Sequence, residues 1–226
     1  MLLCFNVFMY STLTSIILSR ETFHENDLLI TTYTQEKGKV ILQARGAKKI
    51  LSKLAGHLEP VSLSSLEITI GKNIDQLIGA NLINPYKKIK ADVTKIGYAN
   101  YFSELVNEFT HPNHPDLQIF NLLQKSLDYL NNNSNNYPIA RISFGYKLLH
   151  LLGFNPAPKT NPKLGNDINF VVKNPISKII INKKVISNLK DLNKILDQEI
   201  HSHLDKNLNS SQFLGKIITK SLNYHP

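Results

Sequence analysis

Six basic residues crowd one short stretch of this chain and share it with a single acid. The acid is Glu36, and the basic residues are Lys37, Lys39, Arg45, Lys48, Lys49 and Lys53. Lysine and arginine clustered in this way can neutralise successive phosphates of a polyanion. A solvated, charged loop is the common alternative for such a run. The cluster predicts a phosphate-binding surface, provided that the surrounding elements hold these side chains together.

The segments around the cluster have the composition of short β-strands. Gly38 supplies a turn, and runs rich in branched and aromatic side chains occupy residues 15–18, 28–33, 39–45, 62–70 and 77–83. A loop and a short helix around residues 52–57 separate the third run from the fourth. Five short strands with a helical piece at that position predict a closed barrel of the OB type. Such barrels bind nucleic-acid strands through cations and aromatic rings, and Tyr33 or Phe23 is the candidate stacking ring.

Helical periodicity replaces the strand pattern after Pro85. Apolar residues recur at a spacing close to 3.6 over residues 86–109, 117–130, 138–152 and 187–206. Further along, two branched runs flank Asn174 and Pro175, and they predict a small β-hairpin around residues 168–184.

These patterns predict an α+β chain with two domains. An OB-fold nucleic-acid-binding barrel takes residues 11–83, and a helical C-terminal domain with the hairpin extension takes residues 84–226. Residues 1–10 form an N-terminal extension of uncertain role. That stretch is apolar but short, and it lacks a basic start, which argues against a secretory signal and a membrane span. We expect a cytoplasmic protein.

Charge favours a polyanionic partner without identifying it. The chain has 226 residues, 26 Lys+Arg against 17 Asp+Glu, and a formal net charge of +9. DNA binding is one interpretation. An OB-fold RNA-binding protein is another, because a basic barrel does not by itself distinguish DNA from RNA. A protein-interaction scaffold, kept soluble by its charge, is the third.

Several short motifs follow one another in order over the first 60 residues. They are Ile17-Leu18, the stretch 25–27, Tyr33-Thr34, Gly38-Lys39, the run 44–49 and the stretch 58–60. Their order and spacing resemble the start of the RecO family of DNA repair and recombination mediator proteins. Residues 144–156 are similar to the helix that closes the central helical domain of that family.

The resemblance implies a non-enzymatic recombination mediator of the RecFOR type. Such a protein binds single- and double-stranded DNA, anneals strands and assists recombinase loading on DNA coated by single-stranded DNA-binding protein. The implied partners are DNA, RecR and the acidic, phenylalanine-ended C-terminal tail of single-stranded DNA-binding protein. In the family, the helical domain offers that tail an apolar groove with a basic rim, for which Arg141 and Lys147 are the candidates here. The implied location is the bacterial cytoplasm, in association with the nucleoid.

Metal and catalytic chemistry find little support in the sequence. Many RecO proteins carry a four-cysteine zinc cluster, whereas Cys4 is the sole cysteine of this chain. His201 and His203 have no thiolate or clustered carboxylate at ligand spacing, so we expect no structural metal and no cofactor. Asp27 and Glu25 lack a third acid or a lysine at a familiar spacing, and the sequence has no glycine-rich phosphate loop. We expect no enzymatic activity.

Overall fold

The computed structural model describes residues 10–50, 52, 54–154, 162–204 and 208–222, which divide into two compact units. The first, the barrel unit, runs to Pro85 and also includes Thr110–Phe120. The second, the helical unit, comprises Tyr86–Phe109 and the described residues from Asn121 onwards. The inclusion of Thr110–Phe120 in the barrel unit is not evident from the sequence pattern.

Five strands of the barrel unit form a closed barrel. They are β1 (Tyr10–Phe23), β2 (Asp27–Thr34), β3 (Gly38–Ala44), β4 (Leu63–Thr69) and β5 (Asp75–Asn84). The order around the barrel is β1-β2-β3-β5-β4, with β3 and β5 paired in parallel and the other neighbours antiparallel. A 3₁₀ turn, Ala55–His57, lies between β3 and β4. This arrangement confirms the predicted OB-type barrel.

Successive side chains of a β-strand point to opposite faces, so one face of each strand lines the barrel core and the other lies on the outer surface. In β3, Val40, Leu42 and Ala44 are buried. They join a core that also contains Leu13, Ile17, Ile30, Leu58, Leu66, Ile68 and Leu77. The residues that alternate with them in β3, at positions 39, 41 and 43, therefore lie on the outer surface.

The segment Thr110–Phe120 packs on the barrel beside the β2–β3 turn. The N–H of Asn113 donates to the Lys39 carbonyl at 2.9 Å, and Pro112 forms a parallel bridge with the same residue. Gly38 has a φ of +67°, and a Cβ at this position would collide with the carbonyl oxygen of His114. The left-handed backbone and the close approach both require glycine there.

The described chain after the barrel strands is mainly helical. They are α1 (Lys87–Lys90), α2 (Val93–Phe109), α3 (Leu117–Asn132), α4 (Tyr137–Leu151), α5 (Pro162–Lys173), α6 (Ile176–Ile179), α7 (Lys183–Ser187), α8 (Leu189–His203) and α9 (Asn209–Leu222). Helices α2, α3, α4 and α8 confirm the helical segments that the apolar spacing predicts. None of the helices within the described ranges is long and apolar enough to cross a membrane.

Aromatic and close-packed residues join α2, α4 and α8. Phe102 of α2 stacks on Phe144 of α4 with ring centroids 4.3 Å apart. The Tyr146 hydroxyl donates to the Leu192 carbonyl of α8 at 2.6 Å. Burial of these rings stabilises the unit through the hydrophobic effect, and the buried Tyr146 hydroxyl keeps a hydrogen-bond partner.

Glu104 of α2 caps the N-terminus of α9. Its carboxylate accepts hydrogen bonds from the N–H of Asn209 at 2.9 Å and of Ser210 at 2.8 Å, and from the Ser210 hydroxyl. The first N–H groups of a helix have no intrahelical acceptor and carry partial positive charge. The Glu104 carboxylate therefore fastens α9 to α2 at this end.

The predicted β-hairpin around residues 168–184 is wrong, because these residues form α5, α6 and α7. In α5 the burial is helical, with Ile168 and Val171 inward and Phe170 between them only half-buried. Asn174 closes that helix, since its N–H and its side-chain amide both donate to the Phe170 carbonyl. Branched residues favour strands mainly where they pack on a sheet. Here they pack against neighbouring helices.

Candidate nucleic-acid interface

The loop after β3, residues 45–50, carries three exposed cations and is called the basic loop below. Arg45, Lys48 and Lys49 are exposed, and none of them forms an ion pair within the described part of the chain. Two hydrogen bonds fix this loop to the β1–β2 hairpin. The N–H of Lys48 donates to the Asn26 carbonyl at 3.0 Å, and the N–H of Gly46 donates to Asp27 at 2.8 Å. The three charges therefore project from an anchored backbone.

A chain of polar side chains supports this anchor. The Gln43 amide donates to Asp27 Oδ2 at 2.8 Å, and the Gln76 amide donates to Gln43 Oε1 at 3.0 Å. The hydrogen bonds from Gly46 and then Gln43 lower the pKa of Asp27 below its ordinary value, although partial desolvation opposes them. Both carboxylate oxygens are thus occupied. Asp27 holds the loop in place, and this use of its oxygens argues against a catalytic pairing with Glu25.

The remaining cations of the predicted cluster lie beside the β2–β3 turn. Lys37 Nζ is 3.6 Å from Asp75 Oδ2, so part of its charge is neutralised. Lys39 is half-buried where Asn113 bonds to its carbonyl. The carboxylate of Glu36 accepts from the N–H of Thr14 at 3.0 Å and fastens the turn to β1. The cluster therefore separates into the basic loop and a less available pair at the turn, while Lys53 lies outside the described residues.

Tyr33 does not offer a stacking face, so that prediction is corrected. Its side chain is 0% exposed, and its hydroxyl donates to the Asp116 carbonyl at 3.4 Å. Burial raises the pKa of Tyr33 to about 12, with the hydrogen bond to Asp116 acting in the opposite direction. The sequence pattern of β2 gives no sign of this, because the covering segment is far away along the chain.

Phe23 keeps part of its ring accessible at the tip of the β1–β2 hairpin. Its ring centroid lies 4.1 Å from that of the exposed His24, at an interplanar angle of 58°. Asn26 and Asp27, which bind the basic loop, follow directly in the same hairpin. Of the two candidate rings, Phe23 is the accessible one, and it lies in the hairpin to which the basic loop is bonded.

The outer face of β2 and β3 runs between the basic loop and the β2–β3 turn. Cross-strand neighbours there are Leu29 with Gln43 and Thr31 with Ile41. Ile41 is 46% exposed, and the other three are half-buried. In OB barrels this face and the adjoining loops contact nucleic acid. The face offers contacts to Leu29, Thr31 and Ile41 rather than to aromatic rings.

Lys72 is a cation that the sequence interpretation missed. It is exposed on the connection between β4 and β5, three residues before Asp75. The β4–β5 connection is one of the loops that OB barrels use for binding. Lys72 could have been identified from the sequence, because it lies between the fourth and fifth predicted strands.

Arg141 lies in a largely internal network, with 11% of its side chain exposed. Its guanidinium donates to Asn193 at 2.7 Å and pairs with Asp197, both of α8, and it lies over the Tyr101 ring at 4.8 Å from the centroid. These contacts already occupy the group expected to bind a carboxylate of a partner. The role of Arg141 in partner binding stays a prediction.

Lys147 lies on another side of α4, because six residues correspond to well over one and a half turns. Its ammonium donates to the Ser143 hydroxyl at 3.0 Å. Burial lowers the pKa of Lys147, and the nearby charge of Lys125 lowers it further. The structure therefore does not bring Arg141 and Lys147 together on one rim, and it places Lys125 near Lys147 instead.

His203 and His201, the two histidines considered as metal ligands, lie at the end of α8. His203 stacks on Phe154 with centroids 4.0 Å apart, and its Nε2 lies 3.9 Å from a Glu199 oxygen. His201 is exposed. Within the described ranges, no group of three or more His, Cys, Asp or Glu side chains could hold a metal ion.

Two family models match consecutive parts of the chain. The model described as Recombination protein O N terminal matches residues 9–86, and the model described as Recombination protein O C terminal matches residues 90–169. The first match covers the barrel strands, and the second covers α2 to α4 and part of α5.

Curated relatives with the name DNA repair protein RecO are similar to more than half of the chain. The Geobacter sulfurreducens protein is 30% identical over 140 residues, which is 62% of this chain and 57% of that protein. The Shouchella clausii protein is 30% identical over 142 residues, 63% of this chain and 55% of that protein. The matched region thus spans little more than half the length of these relatives. Since two models of one family match adjoining parts of the sequence and fit its barrel and helices, this chain belongs to the RecO family.

Proposed function

We propose that this chain is a DNA-binding mediator of recombination repair that holds nucleic acid by its phosphates at the basic loop. The observation that carries the proposal is the anchoring of Arg45, Lys48 and Lys49 by the bonds from Gly46 to Asp27 and from Lys48 to Asn26. Phosphate contacts supply affinity that does not depend on sequence. Because the backbone that carries these cations is fixed before binding, less conformational entropy is lost when the strand arrives.

The outer face of β2 and β3 is the proposed path of the strand away from the basic loop. Leu29, Thr31 and Ile41 offer shallow contact to bases or sugars, and Phe23 supplies a ring at the hairpin tip. Contacts of this kind leave the pairing edges of the bases unoccupied. A strand held in this way can pair with its complement, which is the physical basis of the proposed strand annealing. Phosphate contacts of this kind are available on single- and double-stranded DNA alike.

The proposed role is non-enzymatic and requires other proteins. We propose that the chain assists recombinase loading on DNA coated by single-stranded DNA-binding protein, with RecR as partner, in the cytoplasm and at the nucleoid. Lys147 and Lys125 are candidate cations for the acidic tail of the coating protein. Burial and then the charge of Lys125 lower the pKa of Lys147, and a carboxylate beside this ammonium would favour its charged form.

A salt titration tests the barrel site. Binding of an oligothymidine strand should weaken with salt at a log–log slope of about −2 if the three described cations of the basic loop each neutralise a phosphate. The double variant Lys48→Glu, Lys49→Glu should flatten that slope by roughly 1.4 and weaken binding of all sequences alike. The variant Lys87→Glu, Lys88→Glu on α1 makes the same change in net charge at exposed positions and serves as the control.

Two outcomes would contradict the proposal. An unchanged slope in the Lys48→Glu, Lys49→Glu variant would remove the basic loop from the DNA site. Preference for an RNA strand of the same sequence in direct competition would favour the RNA-binding alternative. Annealing of complementary strands, measured by the quenching of paired fluorophores, tests the activity itself and should fall in the same variant.

A further inference from the structure

A second concentration of lysine lies in the helical unit. Residues 173–194 contain six lysines and one acid, Asp191. Five of these lysines are exposed and form no ion pair within the described residues: Lys173, Lys178, Lys183, Lys190 and Lys194. These five are called the lysine surface below. Protein surfaces usually mix both signs of charge, so a local excess of this size calls for a polyanionic partner.

The sixth lysine and two asparagines give this surface a fixed framework. Lys184 Nζ lies 3.4 Å from Asp167 Oδ1, and the Asp167 side chain is only 4% exposed. The Asn188 amide donates to Asp167 Oδ2 at 2.8 Å, and Asn182 accepts from the N–H of Lys184 at 3.1 Å. These bonds join α5, α7 and the start of α8. Asp167 therefore pairs with Lys184 and does not neutralise any of the five exposed lysines.

The outward face of α8 shows how the charges are presented. Lys190 and Lys194 are four residues apart, hence on one side of the helix and about 6 Å apart along its axis. Leu192 and Leu196 occupy the buried side. His201 extends the same outward stripe and is also exposed.

We propose that the lysine surface binds the sugar–phosphate backbone of a second nucleic-acid strand. The inference rests on the proposed function, in which the barrel unit holds the first strand. All five lysines belong to the helical unit, so the surface is separate from the basic loop in sequence and in fold. A chain with two backbone-binding surfaces can hold two strands at once and raise their effective concentration for pairing.

A nucleic acid fits this surface better than an anionic membrane. A helix that lies on a membrane inserts a continuous apolar face between the lipids. The outward face of α8 is polar. Of the exposed apolar residues, Ile181 follows α6, which has four residues, and Ile186 lies within α7, which has five. Phosphates of a strand need only cations at intervals, which is what the five lysines supply.

Capture of a second strand tests the inference. A biotinylated oligothymidine is fixed to a support and saturated with the full chain at about 0.1 M salt, and a fluorescent oligothymidine, which cannot pair with the first, is then added. The wild type should retain the fluorescent strand. The variant Lys190→Glu, Lys194→Glu should bind the fixed strand with unchanged affinity. The amount of fluorescent strand that it retains should fall by about tenfold or more. The variant Lys87→Glu, Lys88→Glu should behave as the wild type.

The outcomes separate this inference from the proposed function. Undiminished capture by the Lys190→Glu, Lys194→Glu variant, or equal loss in the Lys87→Glu, Lys88→Glu control, would overturn the second-strand site. So would binding of the wild type to vesicles of phosphatidylserine and phosphatidylcholine without capture of a second strand. Wild-type affinity for the fixed strand in the Lys48→Glu, Lys49→Glu variant would instead overturn the barrel site.

Discussion

Asp27 accepts a 2.8 Å hydrogen bond from the N–H of Gly46 and so joins the tip of the first hairpin to the basic loop. An acid placed among DNA-binding cations would ordinarily weaken binding by repelling phosphate. Here the same carboxylate also fixes the backbone from which Arg45, Lys48 and Lys49 project. The anchoring and the repulsion have opposite effects on affinity, and a substitution can measure which is larger.

Removing the Asp27 carboxylate should weaken DNA binding. In Asp27→Ala the Gly46 N–H and the Gln43 amide lose their acceptor, and the basic loop becomes free to adopt conformations that do not match a strand. We expect the Kd for oligothymidine to rise several-fold although the net charge becomes more positive. A lower Kd would mean that the repulsion of phosphate by Asp27 outweighs its anchoring of the loop, and it would contradict this prediction.

Gly38→Ala should destabilise the barrel unit. The left-handed backbone at residue 38 alone costs a non-glycine residue about 1–2 kcal/mol, and the new Cβ collides with the His114 carbonyl oxygen. We expect a lower melting temperature and faster amide exchange at Asn113, whose N–H bonds to the next residue, Lys39. Gly56→Ala is the matched control, because a Cβ there meets no atom within 4 Å. Equal melting temperatures for the two variants would contradict this account.

The barrel could be predicted from the sequence because each of its strands carries its own local signal. In β3, the apolar residues Val40, Leu42 and Ala44 stand at every second position and so indicate which face is buried. Gly38 marks the turn that precedes this strand. The exposed basic loop follows from the same information, since charged residues directly after a strand end have no core to enter.

Contacts between distant residues could not be predicted in this way. Tyr33 reads as an exposed ring on its strand, but Asp116, 83 residues later, covers it. Arg141 reads as a surface cation on α4, but Asp197, 56 residues later, binds it. The hairpin prediction failed for a related reason, because the partners that make Ile168 and Val171 helical lie elsewhere in the bundle. Local pattern determines the type of element only where the tertiary surroundings agree with it.

Loss of the Glu104 cap should loosen α9. In Glu104→Ala the N–H groups of Asn209 and Ser210 lose their acceptor, a change that typically costs about 1 kcal/mol at a helix N-terminus. We expect faster hydrogen exchange at these two amides. Glu104→Gln keeps the side-chain length and one acceptor oxygen but not the charge, so it should give an intermediate effect. Unchanged exchange in Glu104→Ala would show that packing on α2 alone holds α9.

Chelation should leave the chain folded. Within the described residues no side-chain cluster suits a metal ion, and His203 is stacked on Phe154. A structural zinc contributes roughly 10 kcal/mol or more to folding where it is present. The melting temperature should therefore be the same with and without EDTA. A fall on chelation, together with stoichiometric zinc in elemental analysis, would contradict this expectation.

Arg141 and Lys147 should respond differently to substitution by alanine. Arg141→Ala removes the hydrogen bonds to Asn193 and Asp197 and the contact with the Tyr101 ring. We expect a loss of stability of about 2 kcal/mol, since charge-assisted hydrogen bonds contribute on that scale. Lys147→Ala removes a half-buried ammonium that lies near Lys125, so relief of repulsion should leave the stability nearly unchanged.

Peptide binding should depend on Lys147 more than on Arg141, the reverse of the expected effects on stability. An acidic peptide ending in phenylalanine should bind Lys147→Ala about tenfold more weakly than the wild type, a difference of about 1.4 kcal/mol. The affinity of that variant for oligothymidine should stay the same, because the basic loop is in the other unit. Isothermal titration with the peptide and with DNA measures both. If Arg141→Ala instead loses the peptide while keeping its melting temperature, Arg141 binds the partner directly and its contacts with α8 are exchanged on binding.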